Sequence, residues 1–176
     1  MREAYTALSV PVLEAMFLQP FRVQHISTPA TTMPPHISVF GPFMAMESID
    51  QNVLQALKEI TDSFPRFRFT LRKTGHFPSI QVLYLEPEPA APFQTLHRAI
   101  SARFPELVPD FPDPIMHLTL ARVSDGELDH VEAEFYREHG SRLPIEAMAT
   151  EVGLYEKRDN VWRQRASLTL SENHNE

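Results

Sequence analysis

Pro35-His36-Ile37-Ser38-Val39-Phe40 and Met116-His117-Leu118-Thr119-Leu120-Ala121 are two near copies of one pattern. Each sets a histidine, an aliphatic residue and a hydroxyl residue in a run that reads as a strand. Side chains alternate between the faces of a strand. His36 and Ser38 therefore share one face while Ile37 and Val39 point into apolar packing, and His117 and Thr119 share a face opposite Leu118 and Leu120. A histidine beside a hydroxyl, presented twice, is the minimum equipment for handling a phosphate ester with one acid and one base.

The surroundings of the two copies repeat in element order. After the first, Gly41-Pro42 stops the strand. Ser48 to Gln51 then makes a capping-box pattern opening a helix, with Ile49, Val53, Leu57, Ile60 and Phe64 in one stripe. Residues 66–73 alternate as a strand, Gly75-His76-Phe77-Pro78 reads as a turn, and Ile80 to Leu85 reads as the next strand. After the second copy, Ser124 to Glu127 reads as another capping box. It opens a helix carrying Leu128, Val131 and Phe135, followed by strands at about 145–155 and 161–170 joined by Lys157-Arg158-Asp159-Asn160. A first strand is expected at 7–13, a loop at 19–35, a proline-alanine linker at Glu86–Pro92 and a helix at 93–104. The second motif strand is expected at 115–123, after an irregular stretch at 105–114.

The chain's 176 residues suffice for one well-buried domain, read as residues 1–176 with lobes of roughly 1–92 and 93–170, strands exchanged between them, and a 171–176 tail. A net charge of −7 argues against broad, sequence-independent attraction to nucleic acid. The absence of cysteine removes disulfides, cysteine nucleophiles and thiolate metal sites. No apolar run approaches a membrane span and the first residues do not resemble a secretory signal. Cytoplasmic residence and no membrane partner are the resulting expectations; a monomer is the default, since nothing in the sequence reads out an oligomeric state.

A lone strand histidine is more often a structural, hydrogen-bonded residue than a catalyst; the duplication changes that weighting. Metal catalysis fits poorly, because no His-Glu-x-x-His or carboxylate–histidine cluster accompanies the pair. Arg66, Arg68 and Arg72, and likewise Arg163 and Arg165, alternate opposite apolar faces, which favours solvent exposure. Arg165 stays a candidate substrate contact, since guanidinium pairs bidentately with phosphate groups. Phe40, Phe43 and Phe77 are candidate base-stacking residues, with core packing as the competing role.

The two motifs, together with Gly41-Pro42-Phe43, Thr74-Gly75-His76-Phe77-Pro78, Glu86-Pro87 and the opening Ala7-Leu8-Ser9-Val10-Pro11-Val12, resemble the 2'-5' RNA ligase family of the two-histidine (2H) phosphoesterase superfamily. The resemblance spans about residues 5–170. It implies an α+β fold of two pseudo-symmetric antiparallel sheets with helices packed outside and a central cleft, the motifs lying on neighbouring central strands. It also implies metal-independent hydrolysis of 2',3'-cyclic phosphates or 2'-5' phosphodiesters of RNA or nucleotides, without cofactor. His36 and His117 would be catalytic, Ser38 and Thr119 would bind phosphate, and Arg122, at a position often basic in the family, would be a candidate substrate-binding residue. An RNA- or nucleotide-binding module with little turnover, or a reversible 2'-5' RNA ligase, are the alternatives. The sequence leaves open which histidine is acid and which is base.

Overall fold

The computed structural model describes residues 4–26 and 33–172. Among the described residues eight strands form two four-stranded antiparallel sheets. The first sheet has the order β2 (His36–Phe40), β1 (Ala4–Pro11), β7 (Glu151–Arg158), β8 (Val161–Thr169). The second has the order β5 (Leu118–Arg122), β4 (Val82–Glu88), β3 (Phe67–Phe77), β6 (Ile145–Ala149). Outside them, among the described residues, pack four α-helices: α1 (Gln19–His25), α2 (Gln51–Asp62), α3 (Ala91–Arg103) and α4 (Leu128–His139). This is the expected α+β class with two antiparallel sheets. Each sheet takes two strands from before residue 92 and two from after it.

Several local expectations are corrected. Residues 19–25 are helical, preceded by a 3-10 segment at Leu13–Leu18. Pro20 sits in the first turn of α1, where its missing N–H costs nothing. The remainder of the expected loop, 27–32, and the end of the tail with His174 lie outside the described residues. Helix α2 is capped by Asp50, whose Oδ1 accepts from the Val53 N–H at 2.9 Å, and Ser48 belongs to a separate 3-10 turn. Helix α4 has no side-chain cap; Ser124–Glu127 is a plain turn in which Gly126 takes φ +85°.

Strand β3 continues through Gly75 to Phe77, and the turn falls at Pro78–Ile80. Gly75 is there for room, since the Tyr84 ring from the neighbouring strand lies where a Cβ would stand. The single strand expected at 145–155 is two strands: Thr150 carries the chain from one sheet to the other. The motif strands β2 and β5 are edge strands, one from each sheet, and these edges pack against one another.

Helix α3 straddles this junction. Phe93 packs edge-on against Phe67 and Phe69 of β3, while His97 stacks on Phe40 and hydrogen-bonds the Val39 carbonyl of β2 at 2.8 Å. Its other ring nitrogen lies 3.1 Å from the Pro112 carbonyl, tying the 105–117 segment to the core. One continuous apolar cluster runs through both sheets, from Leu8 and Ile37 to Leu85 and Leu118.

Candidate functional site

His36 opens β2 and His117 immediately precedes β5. The two rings are held in the same way. Nδ1 of His36 lies 2.8 Å from the Pro34 carbonyl, and Nδ1 of His117 lies 2.7 Å from the Ile115 carbonyl, each two residues back. A carbonyl only accepts, so both Nδ1 atoms carry the proton and donate it, and both Nε2 atoms are left with a lone pair. Such a ring takes a proton at Nε2 and, once charged, gives one up there.

Burial pushes the His36 imidazolium down to about 4; the Arg22 cation and, more weakly, a charge on His117 push the same way against the Pro34 bond. Burial also lowers His117, opposed by its bond to Ile115. At neutral pH both free rings are therefore uncharged, and an arriving anion would favour recharging one of them. Ser38 is exposed and Thr119 half-buried; among the described residues neither hydroxyl has a hydrogen-bond partner, so both are available to a ligand.

His117, Thr119 and Arg122 line a hollow of about 400 Å³, whose remaining wall is mostly apolar: Phe77, Ile80, Val82, Phe111 and Ile115. His36 and Ser38 lie outside that lining, on β2 beside β5. Phe77 meets the His117 ring edge-on at 4.9 Å, and Tyr84 lies 5.3 Å from it. Arg122 also faces an adjoining hollow of about 320 Å³ lined by Gln24, His25 and Ser124.

Of the sequence candidates, the fold thus brings Phe77 and Arg122 to His117 and Thr119, and leaves three others elsewhere. Phe40 and Phe43 are buried in the core against His97 and Phe104, because the β-bulge opposite Leu8 turns Phe40 to the helix side. Arg165 is spent on Glu156, a buried carboxylate that it shares with Arg158. Arg66 and Arg72 pair with Glu172 and Glu88. His76 pairs with Glu132 at 2.8 Å. Among the described residues no group of three or more His, Cys, Asp or Glu side chains is placed to hold a metal ion, and no helix is long and apolar enough to cross a membrane.

Sequence reading missed Arg22, which is buried on α1 next to the motifs. A signal was present: Ala15, Leu18 and Arg22 follow three- and four-residue steps, which places an arginine on the apolar stripe of a helix.

Two predictions arise from this geometry. Unfolded His36 gains a proton near pH 6.5 and folded His36 only near 4, so between those values the unfolded state binds more protons and stability falls as pH falls. The loss should be on the order of 2 kcal/mol, allowing for the ring's partial exposure. Urea unfolding at pH 7 and pH 4.5 measures it, and His36→Asn should lose that share of the difference. An equal pH dependence in both proteins would contradict the assignment. Second, a Cβ at residue 75 would stand 2.5 Å from the Tyr84 ring. Gly75→Ala should cost about 1–3 kcal/mol and displace Tyr84 from His117. Thermal melts should show the penalty relieved when Tyr84→Ala is added, since the two changes share one contact.

The chain matches the family model described as 2'-5' RNA ligase superfamily over residues 10–161. It belongs to that superfamily. Solved structures share the fold of this superfamily member. TT0787 of Thermus thermophilus superposes with a TM-score of 0.65 at 17% identity, covering 97% of this chain and 100% of that one. Escherichia coli LigT complexed with 3'-AMP gives 0.61 at 15% identity, covering 94% and 97%. Usb1 of Kluyveromyces marxianus gives 0.55 at 14% identity, covering 96% and 99%. At these identities the likeness is one of fold. No curated protein matches the chain significantly.

Proposed function

We propose that this superfamily member is a phosphodiesterase that hydrolyses 2',3'-cyclic phosphates or 2'-5' phosphodiesters of nucleotides or RNA ends by two-histidine acid–base catalysis, without metal or cofactor. The observation that carries the reading is the matched clamp on the two rings, which leaves two Nε2 atoms on adjacent strand edges. One neutral imidazole takes a proton from water as the water oxygen bonds to phosphorus. The P–O bond to one ribose oxygen breaks, and the other imidazole, charged in the presence of the phosphate, protonates that oxygen. Ser38 and Thr119 donate to the non-bridging oxygens, where charge gathers.

The apolar wall of Phe77, Ile80, Phe111 and Ile115 suits the face of a nucleobase, and Arg122 suits an anionic group beside it. Crystal structures of Escherichia coli LigT with 3'-AMP, NADP+, phosphate and ATP support a nucleotide ligand. With a 5'-hydroxyl in place of water as the nucleophile, the same two rings would join it to the phosphorus of a 2',3'-cyclic phosphate while the P–O3' bond breaks and O3' is protonated, giving a 2'-5' linkage. Turnover of nucleoside 2',3'-cyclic phosphates and 2'-5' dinucleotides in the presence of EDTA tests the proposal. Hydrolysis of one class to a single monoester isomer is expected, and binding without turnover of either would overturn it.

A further inference from the structure

Arg22 is only 1% exposed. Its Nε donates to the Thr119 carbonyl at 2.9 Å, and Nη1 donates to Gln19 Oε1 at 2.6 Å and to the Met33 carbonyl at 3.3 Å. Thr119 is the hydroxyl residue of the second motif. Met33 immediately precedes Pro34, whose carbonyl holds the His36 ring. One planar, rigid fork therefore ties together the backbones of both histidine segments, its bond to Thr119 spanning 97 residues of chain.

The fork is also a charge in a dry place. Burial lowers Arg22 to about 10, which still leaves it a cation at neutral pH. None of its hydrogen bonds among the described residues is to a carboxylate. Its charge adds to burial in opposing a charge on His36, as a charge on His117 does more weakly. His117 faces the Phe77 and Tyr84 rings.

We infer that Arg22 is a positioning residue: its buried fork holds the two histidine motifs in register where the sheet edges meet. The inference rests on the two-histidine reading above. Both rings must reach one phosphate in the same step, so lost register lowers kcat even when both sheets stay folded.

Arg22→Met and Arg22→Lys test this, read by NMR titration of the His36 ring without substrate and by kcat on a nucleoside 2',3'-cyclic phosphate. Arg22→Met should move the His36 titration to higher pH and lower kcat about 10–100-fold. Arg22→Lys keeps the charge and loses the fork, so kcat should fall while the His36 titration stays put. A folded Arg22→Met protein with an unmoved His36 titration would overturn the electrostatic role. Wild-type kcat in Arg22→Lys would overturn the register role, and that variant decides should Arg22→Met not fold. If no variant or wild type turns over the cyclic phosphate, the two-histidine reading fails, while the substrate-free titration still reports on Arg22.

Discussion

His117→Ala and His36→Ala should each lower hydrolysis of a 2',3'-cyclic phosphate by roughly 10²–10⁴-fold, with the double variant little worse than either single one. Acid and base act in the same step, so removing either disables the pair. The fold should survive both changes. Each ring's hydrogen bond goes to a carbonyl only two residues away, and neither side chain is fully buried. Near-wild-type circular dichroism and a melting point within a few degrees should therefore accompany the loss. Steady-state kinetics separate the roles further, because a truncated ring leaves Ser38, Thr119 and the apolar hollow intact and KM should change less than kcat. Full activity in either variant would falsify the two-histidine proposal.

Phe93→Ala is expected to be the most destabilising single truncation, at about 3–5 kcal/mol. The ring is completely buried. It meets Phe67 at 4.9 Å and Phe69 at 5.1 Å, both nearly perpendicular, so the loss adds two edge-to-face contacts to the transfer and cavity costs. That is a large part of the roughly 5–15 kcal/mol by which domains of this size are typically stable. Urea unfolding measures it; a loss under about 1 kcal/mol would mean the neighbouring strands close the cavity. The consequence reaches the hollow as well, because α3 also carries His97, which anchors Pro112 close to Phe111 and Ile115.

Much of this molecule is written in local pattern. The alternation in Pro35–Phe40 and Met116–Ala121 sufficed to pair each histidine with a hydroxyl. The stripe from Val53 to Ile60 marks α2, and Leu96 with Ile100 marks α3, because helix and strand periodicities are properties of a few consecutive residues. Signals that depend on a distant neighbour misled. Gly75 reads as a turn residue until Tyr84, on the neighbouring strand, is seen to need its space. Thr150 looks like the middle of a strand until β6 and β7 are paired in different sheets.

The amino-acid order by itself determined the inventory: two histidine–hydroxyl pairs, each in a short strand segment followed by a helix and strands, and no cysteine to offer other chemistry. Tertiary structure alone decided that both pairs lie at sheet edges that meet, that Phe40, Phe43 and Arg165 are occupied elsewhere, and that Arg22 spans the gap behind the rings. The reason is physical. Periodicity is enforced by neighbours a few residues away, whereas the desolvation and the field that set a histidine's proton affinity come from groups brought close only when the chain closes on itself.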